Sequence, residues 1–444
     1  MHWQPAPGLP RTHVLELQKE RLHLLLTQVL PFNGFYHRKF AAAGLDGPAC
    51  KIADDLQRLP FTTKSELLAD QAENPPFGRV HTHSIHEYTR YHQTSGTSGQ
   101  PLRWLDTPDS WSALLDVWTG LFQIAGIKPK DRLFFPFSFG PFLGFWSAFD
   151  AGARFGCLCL PGGGMSSTAR LRFILDNRPT VVFCTPTYAL HLAEVARGEG
   201  IDLPAAGVRA IVVAGEPGGN VPFTRQRIEA GWGARVVDHN GMTETGPLGI
   251  ECEEAPGGLH LLETACVAEI IDPDGRPVPP GTPGELVITT LTRPGSPLIR
   301  YRTGDLVCAD PRPCRCGRPF IRLDAGIHGR VDDMIIIRGN NVHPSSLQRI
   351  LHRYPEVAEY RVEVDATAAL PVLRIEVEPH PEVADVPQLA ARLDRAIRDE
   401  LLFRAEIQTV TPGSLPRFEL KARRVIRKTP ADSGGGTPSG PQKS

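Results

Sequence analysis

Within the run Gln93-Thr94-Ser95-Gly96-Thr97-Ser98-Gly99-Gln100-Pro101, residues Thr94 to Gly99 supply four hydroxyl side chains and two glycines. Such a loop has the chemistry to surround a polyphosphate. Glycine lets the backbone approach closely, and hydroxyls and successive N–H groups can point at anionic oxygens. The preceding Glu87-Tyr88-Thr89-Arg90-Tyr91 alternates like a strand, so the loop would sit at a strand end. It is not a Walker A loop, because no Gly-Lys-Ser/Thr follows, and by itself a Ser/Gly-rich loop is more often a solvated linker.

Four later segments carry comparable chemistry. Gly215-Glu216-Pro217 follows the apolar run Ala210–Val213, a strand-to-loop junction of the kind where α/β proteins place ligand contacts. Asp238-His239-Asn240-Gly241-Met242-Thr243-Glu244 follows strand-like Arg235–Val237 and reads as a loop. Its Thr243–Glu244 pair joins a hydroxyl to a carboxylate and could hold Mg²⁺, an ion that prefers oxygen. Tyr301-Arg302-Thr303-Gly304-Asp305 puts an acidic side chain at a turn, where it could accept both hydroxyls of a ribose. Gly329-Arg330-Val331-Asp332-Asp333 lies where the residue pattern changes. Read singly, each has a bland counterpart: a surface turn, an N-cap pair, an aspartate bonding its own backbone, a charged linker.

Cys314-Arg315-Cys316 forms a tight Cys-x-Cys turn, with Cys252 and His260 earlier in the same region. Three thiolates and one imidazole make a tetrahedral zinc set, and with all four positions filled by protein the ion would be structural. Unligated thiols are the alternative, and that plain reading fits Cys157, Cys159, Cys184, Cys266 and Cys308.

The elements that would position these residues fall into three stretches. Val14–Leu30, Trp111–Ile124 (capped near Asp109-Ser110), Ser167–Asn177 and Thr187–Arg197 have helical spacing. Arg132–Phe135, Val181–Cys184 and Ala210–Ala214 read as buried strands. That alternation predicts an α/β domain with a largely parallel sheet. Beyond Gly257, the strands Ala265–Ile271, Gly284–Thr290 and Leu306–Ala309 alternate with turns, predicting an antiparallel β subdomain. After Gly329 a small α+β unit follows, with strands at Met334–Arg338, Arg361–Val364, Val372–Val377 and Glu406–Val410 and helices at Ser345–Tyr354 and Gln388–Leu401. The boundaries expected are 1–331 for the large domain, 332–428 for the small one, and a Gly/Ser/Pro-rich disordered tail at 429–444.

Composition limits the function classes. The 444 residues carry 48 basic and 49 acidic side chains with a pI near 6.9, which argues against a general nucleic-acid binder. No segment approaches the roughly 20 apolar residues of a membrane span, and no stretch has signal-peptide form. Nine cysteines without a secretion signal point to a reducing cytoplasm.

Taken in order, the Thr/Ser/Gly loop, Gly-Glu-Pro, Gly-Met-Thr-Glu, Tyr-Arg-Thr-Gly-Asp and Gly-Arg-x-Asp-Asp resemble the signature series of the adenylate-forming superfamily of acyl-CoA synthetases, adenylation domains and luciferases. Leu298–Asp305 and Gly329–Ser345 narrow the resemblance to the phenylacetate–CoA ligase family, over roughly Leu56 to Arg427. What the resemblance implies is a carboxylic acid activated by ATP to an acyl-adenylate, then transferred to the thiol of coenzyme A. Thr94, Ser95, Gly96, Thr97, Ser98 and Gly99 would grip phosphate. Gly215, Glu216 and Pro217 would line the adenine pocket, with Asp238, His239, Asn240, Gly241 and Met242 on its other side. Thr243 and Glu244 would meet the α-phosphate and Mg²⁺, Asp305 the ribose, and Arg330 the nucleotide. Asp332 would be the hinge of a mobile C-terminal domain. Within Gly413–Arg424, Lys421 matches the catalytic lysine, with Lys428 as competitor. Some relatives also carry a cysteine cluster like the one proposed to hold zinc.

Two departures stand out. Gln100 occupies a position where relatives often have lysine, a charge that Arg103 could partly replace. Asn240 stands where many relatives stack an aromatic ring on adenine. Eight aromatics between Leu133 and Phe149 would border the acyl pocket and favour an aromatic or apolar acid, although core packing explains many of them. His92 and His239 are further candidates to touch substrate. A homodimer is compatible with this reading. So are two alternatives: transfer to a carrier protein or amine, and a nucleotide-binding relative without turnover.

Overall fold

The computed structural model describes residues 8–45, 56–94, 100–331, 335–337, 340–342, 344–365, 372–401, 405–418 and 424–428. Ser95–Gly99, Asp332, Lys421 and the tail 429–444 lie outside them. The chain forms two compact units, Met1–His328 and Gly329–Ser444.

The first unit opens with helix α1 (Arg11–Val29), whose Val14, Gln18, Leu22, Leu25, Leu26 and Val29 recur at helical spacing and are buried. Helix α2 (Gly34–Ala42) is capped by Asn33, and α3 (Lys64–Glu73) by a reciprocal Thr63/Glu66 capping box. Strands β1 (Arg90–Gln93) and β2 (Arg103–Asp106) then pair as an antiparallel hairpin. The strand expected from Glu87 begins only at Arg90, because Ile85–Glu87 turn as a short 3₁₀ segment. Helix α4 (Pro108–Ile124) starts earlier than its apolar periodicity implied. Its cap is Thr107, which accepts from Ser110 N, and Pro108 occupies the first turn; Asp109-Ser110 are already inside the helix.

Alternation follows: β3 (Arg132–Phe135), α5 (Trp146–Phe155), β4 (Leu158–Pro161), α6 (Ser167–Asn177), β5 (Val181–Cys184), α7 (Pro186–Gly198), β6 (Ala210–Val213), α8 (Pro222–Trp232) and β7 (Arg235–Met242). The antiparallel strands are β8 (Gly246–Ile250), β9 (Gly258–Leu261), β10 (Cys266–Ile271), β11 (Pro283–Thr290), β12 (Tyr301–Ala309) and β13 (Arg322–Arg330). All but the hairpin join one sheet of order β10-β11-β12-β13-β9-β8-β7-β6-β5-β3-β4. Strands β4, β3, β5, β6 and β7 run parallel, and β7 pairs antiparallel with β8 on its other edge. The parallel and antiparallel halves are therefore continuous through β7. One core packs α4 and α5 against this sheet around Trp118, Phe135 and Phe183. A second packs α6, α7 and α8 against it around Phe134, Tyr188 and Trp232.

The second unit holds the β14 (Ile335–Ile337) and β15 (Asn340–Val342) hairpin, α9 (Pro344–Leu351), β16 (Val357–Asp365), β17 (Val372–Pro379), α10 (Val386–Leu401), β18 (Glu406–Thr409) and β19 (Val425–Lys428). Its four-stranded sheet has order β18-β17-β16-β19. Leu347, Ile350 and Leu351 of α9 and Leu389, Leu393 and Ile397 of α10 bury against it.

In the first unit, Arg293 is 1% exposed and donates through Nε and Nη2 to both oxygens of Asp106, at 2.9 and 2.7 Å; Asp106 is fully buried. Its Nη1 donates to the carbonyls of Thr243 and Glu244. One guanidinium thus ties the β1–β2 hairpin to the β7–β8 turn. Breaking a buried pair by removing one partner costs about 3–5 kcal/mol. Arg293→Ala should lower the unfolding free energy by about that amount in urea denaturation; a loss near zero would show that the pair does not hold these elements together.

Candidate active site

The phosphate-loop candidate emerges from the hairpin. Thr94 N donates to Leu102 O at 2.9 Å, and Leu102 N donates back to Thr94 Oγ1 at 3.0 Å, closing the base of the loop; Ser95 to Gly99 lie outside the described residues. Arg103, which could partly replace a lysine at Gln100, donates one guanidinium N–H to Pro76 O at 2.6 Å.

Residues 238–242 differ from expectation. They form the second half of β7, paired with β8 through His239↔Ile250, Asn240↔Gly249 and Met242↔Gly246, with a register shift between Asn240 and Gly241. Polar side chains and a glycine hid this strand, and pairing to β8 overrides their weak strand propensity. Only Thr243–Thr245 make the turn. There Glu244 is 4% exposed, accepts from Tyr301 Oη at 3.0 Å and lies 3.9 Å from Lys64 Nζ. Its Oε1 makes both contacts, which leaves Oε2 without a hydrogen bond among the described residues.

Tyr301–Asp305 are likewise a strand, the start of β12, and not a turn. Burial alternates, so Tyr301, Thr303 and Asp305 face inward, with Gly304 at positive φ (76°) where the register with β11 shifts. The strand therefore presents the Tyr301 hydroxyl and the Asp305 carboxylate on one face. Tyr301 and Lys64 escaped sequence reasoning because their partner Glu244 is far away in the chain. Arg330 closes β13, whose last two residues belong to the second unit.

On β7, alternate residues face opposite ways. His239 packs on Trp118 with ring centroids 4.4 Å apart, and its Nδ1 lies 2.8 Å from Gly249 O; burial holds the imidazole near pKa 4, so it is neutral. Around Trp118 stand Phe122 and Phe183, and Phe135 stacks on Phe183 at 4.7 Å. Of the eight aromatics in 133–149, Phe134, Phe135 and Phe145 are buried in the core, Phe137, Phe139, Trp146 and Phe149 are half-buried against it, and Phe142 is exposed; Phe134 stacks on Phe173, and Phe145 and Phe149 pack on Phe135. His92, also buried, stacks on Trp111 at 5.4 Å. On the opposite face, Asp238 accepts from Asn220 Nδ2 at 2.5 Å. Burial, then Glu251, pushes its carboxyl up to about 7 against the pull of Arg225. The Gly215–Pro217 loop leaves β6 with Gly215 at φ 92°, and Glu216 Oε1 accepts from Thr187 N, which fixes the loop to the start of α7.

The zinc candidates converge. The ligand atoms of Cys252, His260, Cys314 and Cys316 all lie within 4.8 Å of one another. Cys252 Sγ is 3.7 Å from Cys314 Sγ, and Cys316 Sγ is 3.4 Å from His260 Nε2. Tetrahedral ligands at zinc bond lengths stand about 3.3–3.8 Å apart, so the donor set fits that ion. Burial, then Arg322 and Arg318, keeps His260 neutral, near pKa 4. Burial, then Cys314, pushes the Cys252 thiol up to about 12. Metal binding here would release thiol protons.

In the second unit, Glu378 accepts from Gly413 N, Leu415 N and Arg417. Burial opposes its ionisation, but Arg417 and the two amides outweigh it and hold the carboxyl down to about 2. Arg424 pairs with Glu359 at 2.5 Å. These contacts anchor the described residues on both sides of 419–423, the segment that contains Lys421.

Comparison with known proteins identifies the family. The AMP-binding enzyme family matches residues 65–292, and the AMP-binding enzyme C-terminal domain matches residues 339–428. A phenylacetate-coenzyme A ligase of Thermus thermophilus is 32% identical over 96% of this chain and 99% of its own length. One of Escherichia coli is 32% identical over 92% and 94%. A crystal structure of a 2-hydroxyisobutyryl-CoA ligase with 2-HIB-AMP in the postadenylation state gives a TM-score of 0.89 at 30% identity, over 96% of this chain and 92% of that one. The chain belongs to the adenylate-forming AMP-binding enzymes, among the relatives of the phenylacetate–CoA ligases. Its reaction is ATP-dependent activation of a carboxylic acid through an acyl-adenylate and transfer to coenzyme A, an acid–thiol ligation. Among the described residues, no helix is long and apolar enough to cross a membrane.

The raised Asp238 carboxyl makes a stability prediction. The unfolded group ionises near 3.8 and the folded one near 7. Its contribution is therefore full below about pH 4 and is lost as pH rises through 7. Asp238→Asn should remove that loss: wild type and variant should melt alike near pH 4, and the variant should be the more stable at pH 8. Parallel melting curves across this range would refute the assignment.

Proposed function

We propose that the acid is an arylacetate-type carboxylic acid, and that the first unit adenylates it on the face shared by Glu244, Tyr301 and Asp305. The observation that carries this reading is the Tyr301–Glu244 hydrogen bond. It sets a buried carboxylate on the strand that also holds Asp305, beside the turn Arg293 fastens to the phosphate-loop hairpin. The aromatic preference rests on the names of the full-length relatives, with neutral His239 turned toward the aromatic cluster of Trp118 and Phe183.

In this reading the hairpin loop grips the pyrophosphate end of ATP. Glu244 would hold Mg²⁺, with its Oε1 fixed by Tyr301 and Lys64 nearby. When bound, the ion neutralises phosphate charge. Asp305 accepts the ribose hydroxyls, and the Gly215–Pro217 loop and the Asp238/Asn240 face of β7 border adenine. Lys421 stabilises the negative charge that develops as the carboxylate attacks the α-phosphorus and pyrophosphate leaves. The C-terminal unit, turning about Asp332, then gives way for thiol attack on the adenylate. The related 2-hydroxyisobutyryl-CoA ligase has been solved in a thioesterification state as well, with 2-HIB-AMP and CoA. Cys252, His260, Cys314 and Cys316 hold a structural zinc ion. All eight described cysteines are free, which fits a reducing cytoplasm.

Pyrophosphate release across phenylacetate, benzoate, 2-hydroxyisobutyrate and octanoate, with and without CoA, tests the substrate. Phenylacetate should give the highest kcat/KM, with CoA consumed as AMP forms; a leading aliphatic acid would overturn the aromatic assignment. Tyr301→Phe should cut adenylation by about 10–100-fold, the worth of a hydrogen bond to a charged group, without a change in the melting midpoint of comparable weight. Lys421→Ala should abolish adenylation yet spare thioester formation from supplied acyl-adenylate. Elemental analysis should find one zinc per chain, lost together with several degrees of thermal stability in Cys314→Ser; a metal-free wild type would remove zinc from the account.

A further inference from the structure

Buried polar atoms are nearly always paired, and leaving one unpaired is costly. Three unpaired atoms nevertheless occur on one patch of the first unit. The Oδ1 of Asn220 and both Oδ1 and Nδ2 of Asn240 are buried and have no hydrogen-bond partner among the described residues. Asn220 spends its Nδ2 on Asp238 Oδ2 at 2.5 Å, so its carbonyl oxygen is the atom left over. Asp238 and Asn240 are two apart on β7 and share a face, while His239 between them turns to Trp118.

Three glycines bring their backbones directly against this patch. A Cβ at Gly249, which pairs with Asn240, would meet Asn240 Oδ1 at 2.8 Å. One at Gly326 would meet Asn220 Nδ2 at 2.6 Å and Asp238 Oδ2 at 3.2 Å, and one at Gly219 would meet Asp238 Oδ1 at 2.3 Å. At these three positions backbone without a side chain thus lies next to the amides and the Asp238 carboxyl.

We propose that Asn220 and Asn240 read the amino edge of adenine by hydrogen bonding, so that polar recognition replaces ring stacking at position 240. This rests on the reading that the Gly215–Pro217 loop and β7 border the base. A primary amide matches an adenine edge in two bonds: its oxygen accepts from the exocyclic amine, and its nitrogen donates to an adjacent ring nitrogen. Because the Asn220 amine is committed to Asp238, its carbonyl demands a donor, and the second amine hydrogen supplies one. A 6-oxopurine presents a lone pair there and is repelled. An aromatic ring at position 240 could not make this choice, since every base has a π-face to stack.

Calorimetric titration of the full chain with AMP, IMP and N6,N6-dimethyl-AMP tests the assignment. Wild type should bind AMP at least about tenfold more tightly than either analogue, the worth of one good bidentate base contact. Asn240→Ala and Asn220→Ala should each shrink the AMP/IMP ratio by about tenfold, and Asn240→Tyr should lower the ratio while keeping AMP affinity. Since Asn240→Leu removes unpaired buried atoms, its apo form should melt no lower than wild type, which separates recognition from folding. Equal binding of AMP and the dimethyl analogue by wild type, or an AMP/IMP ratio unmoved in both alanine variants that still bind AMP, overturns the proposal alone. If wild type binds none of the nucleotides, the adenine-pocket reading falls with it.

Discussion

The buried Arg293–Asp106 pair is the constraint on which the site's geometry depends. Its charge–charge attraction must repay the desolvation of two ions, and a bidentate geometry with two further carbonyl acceptors is what makes that repayment feasible. The arrangement joins sequence positions 106, 243, 244 and 293. A hydrophobic contact could bring the same elements together but would leave their registers free to slide. The planar guanidinium, whose donors point in fixed directions, specifies where the turn stands relative to the hairpin. Glu244 and Thr94 inherit their positions from it.

A second layer of fixation lies around Glu244. Its backbone is held by Arg293 and its side chain by Tyr301, so the carboxylate's position is set from two independent directions. Lys64, at 3.9 Å, adds attraction without a directional bond. With a neutral Gln100 after the loop, Lys64 is a cation that the fold places beside this turn. Helix α3 delivers it from its first turn, fixed by the Thr63/Glu66 capping box. The electrostatics of the site thus depend on a capped helix more than 150 residues from Glu244 in the chain.

How much of this was legible in the sequence depended on where the decisive partner lay. Arg132–Phe135, Val181–Cys184 and Ala210–Val213 were readable because short runs of β-branched and aromatic residues bury on both faces of a parallel sheet. Residues 238–242 and 301–305 were not, because Asp, His, Asn and Gly carry turn propensity and only pairing with β8 and β11 makes them strands. The Cys252/His260/Cys314/Cys316 group could be assembled from residue type alone, since few side chains share its chemistry. Arg293, Lys64 and Asn220 could not, because an isolated charged or amide residue has no local signature. Their roles exist only across strands, at separations of up to 187 residues.

The second unit solves a different problem with similar means. Lys421 lies between Arg417 and Arg424, each held by a glutamate of the four-stranded sheet, Glu378 and Glu359. Glu378 also collects the amides of Gly413 and Leu415, so one carboxylate organises the approach to the segment. Flanks anchored this firmly to the sheet follow the unit when it moves. In the proposed two-step cycle, a rotation of the whole unit would carry these anchored flanks with the sheet. Such a division, a rigid carrier with the freedom confined to a hinge, would let the same sheet serve both proposed half-reactions without losing its own packing.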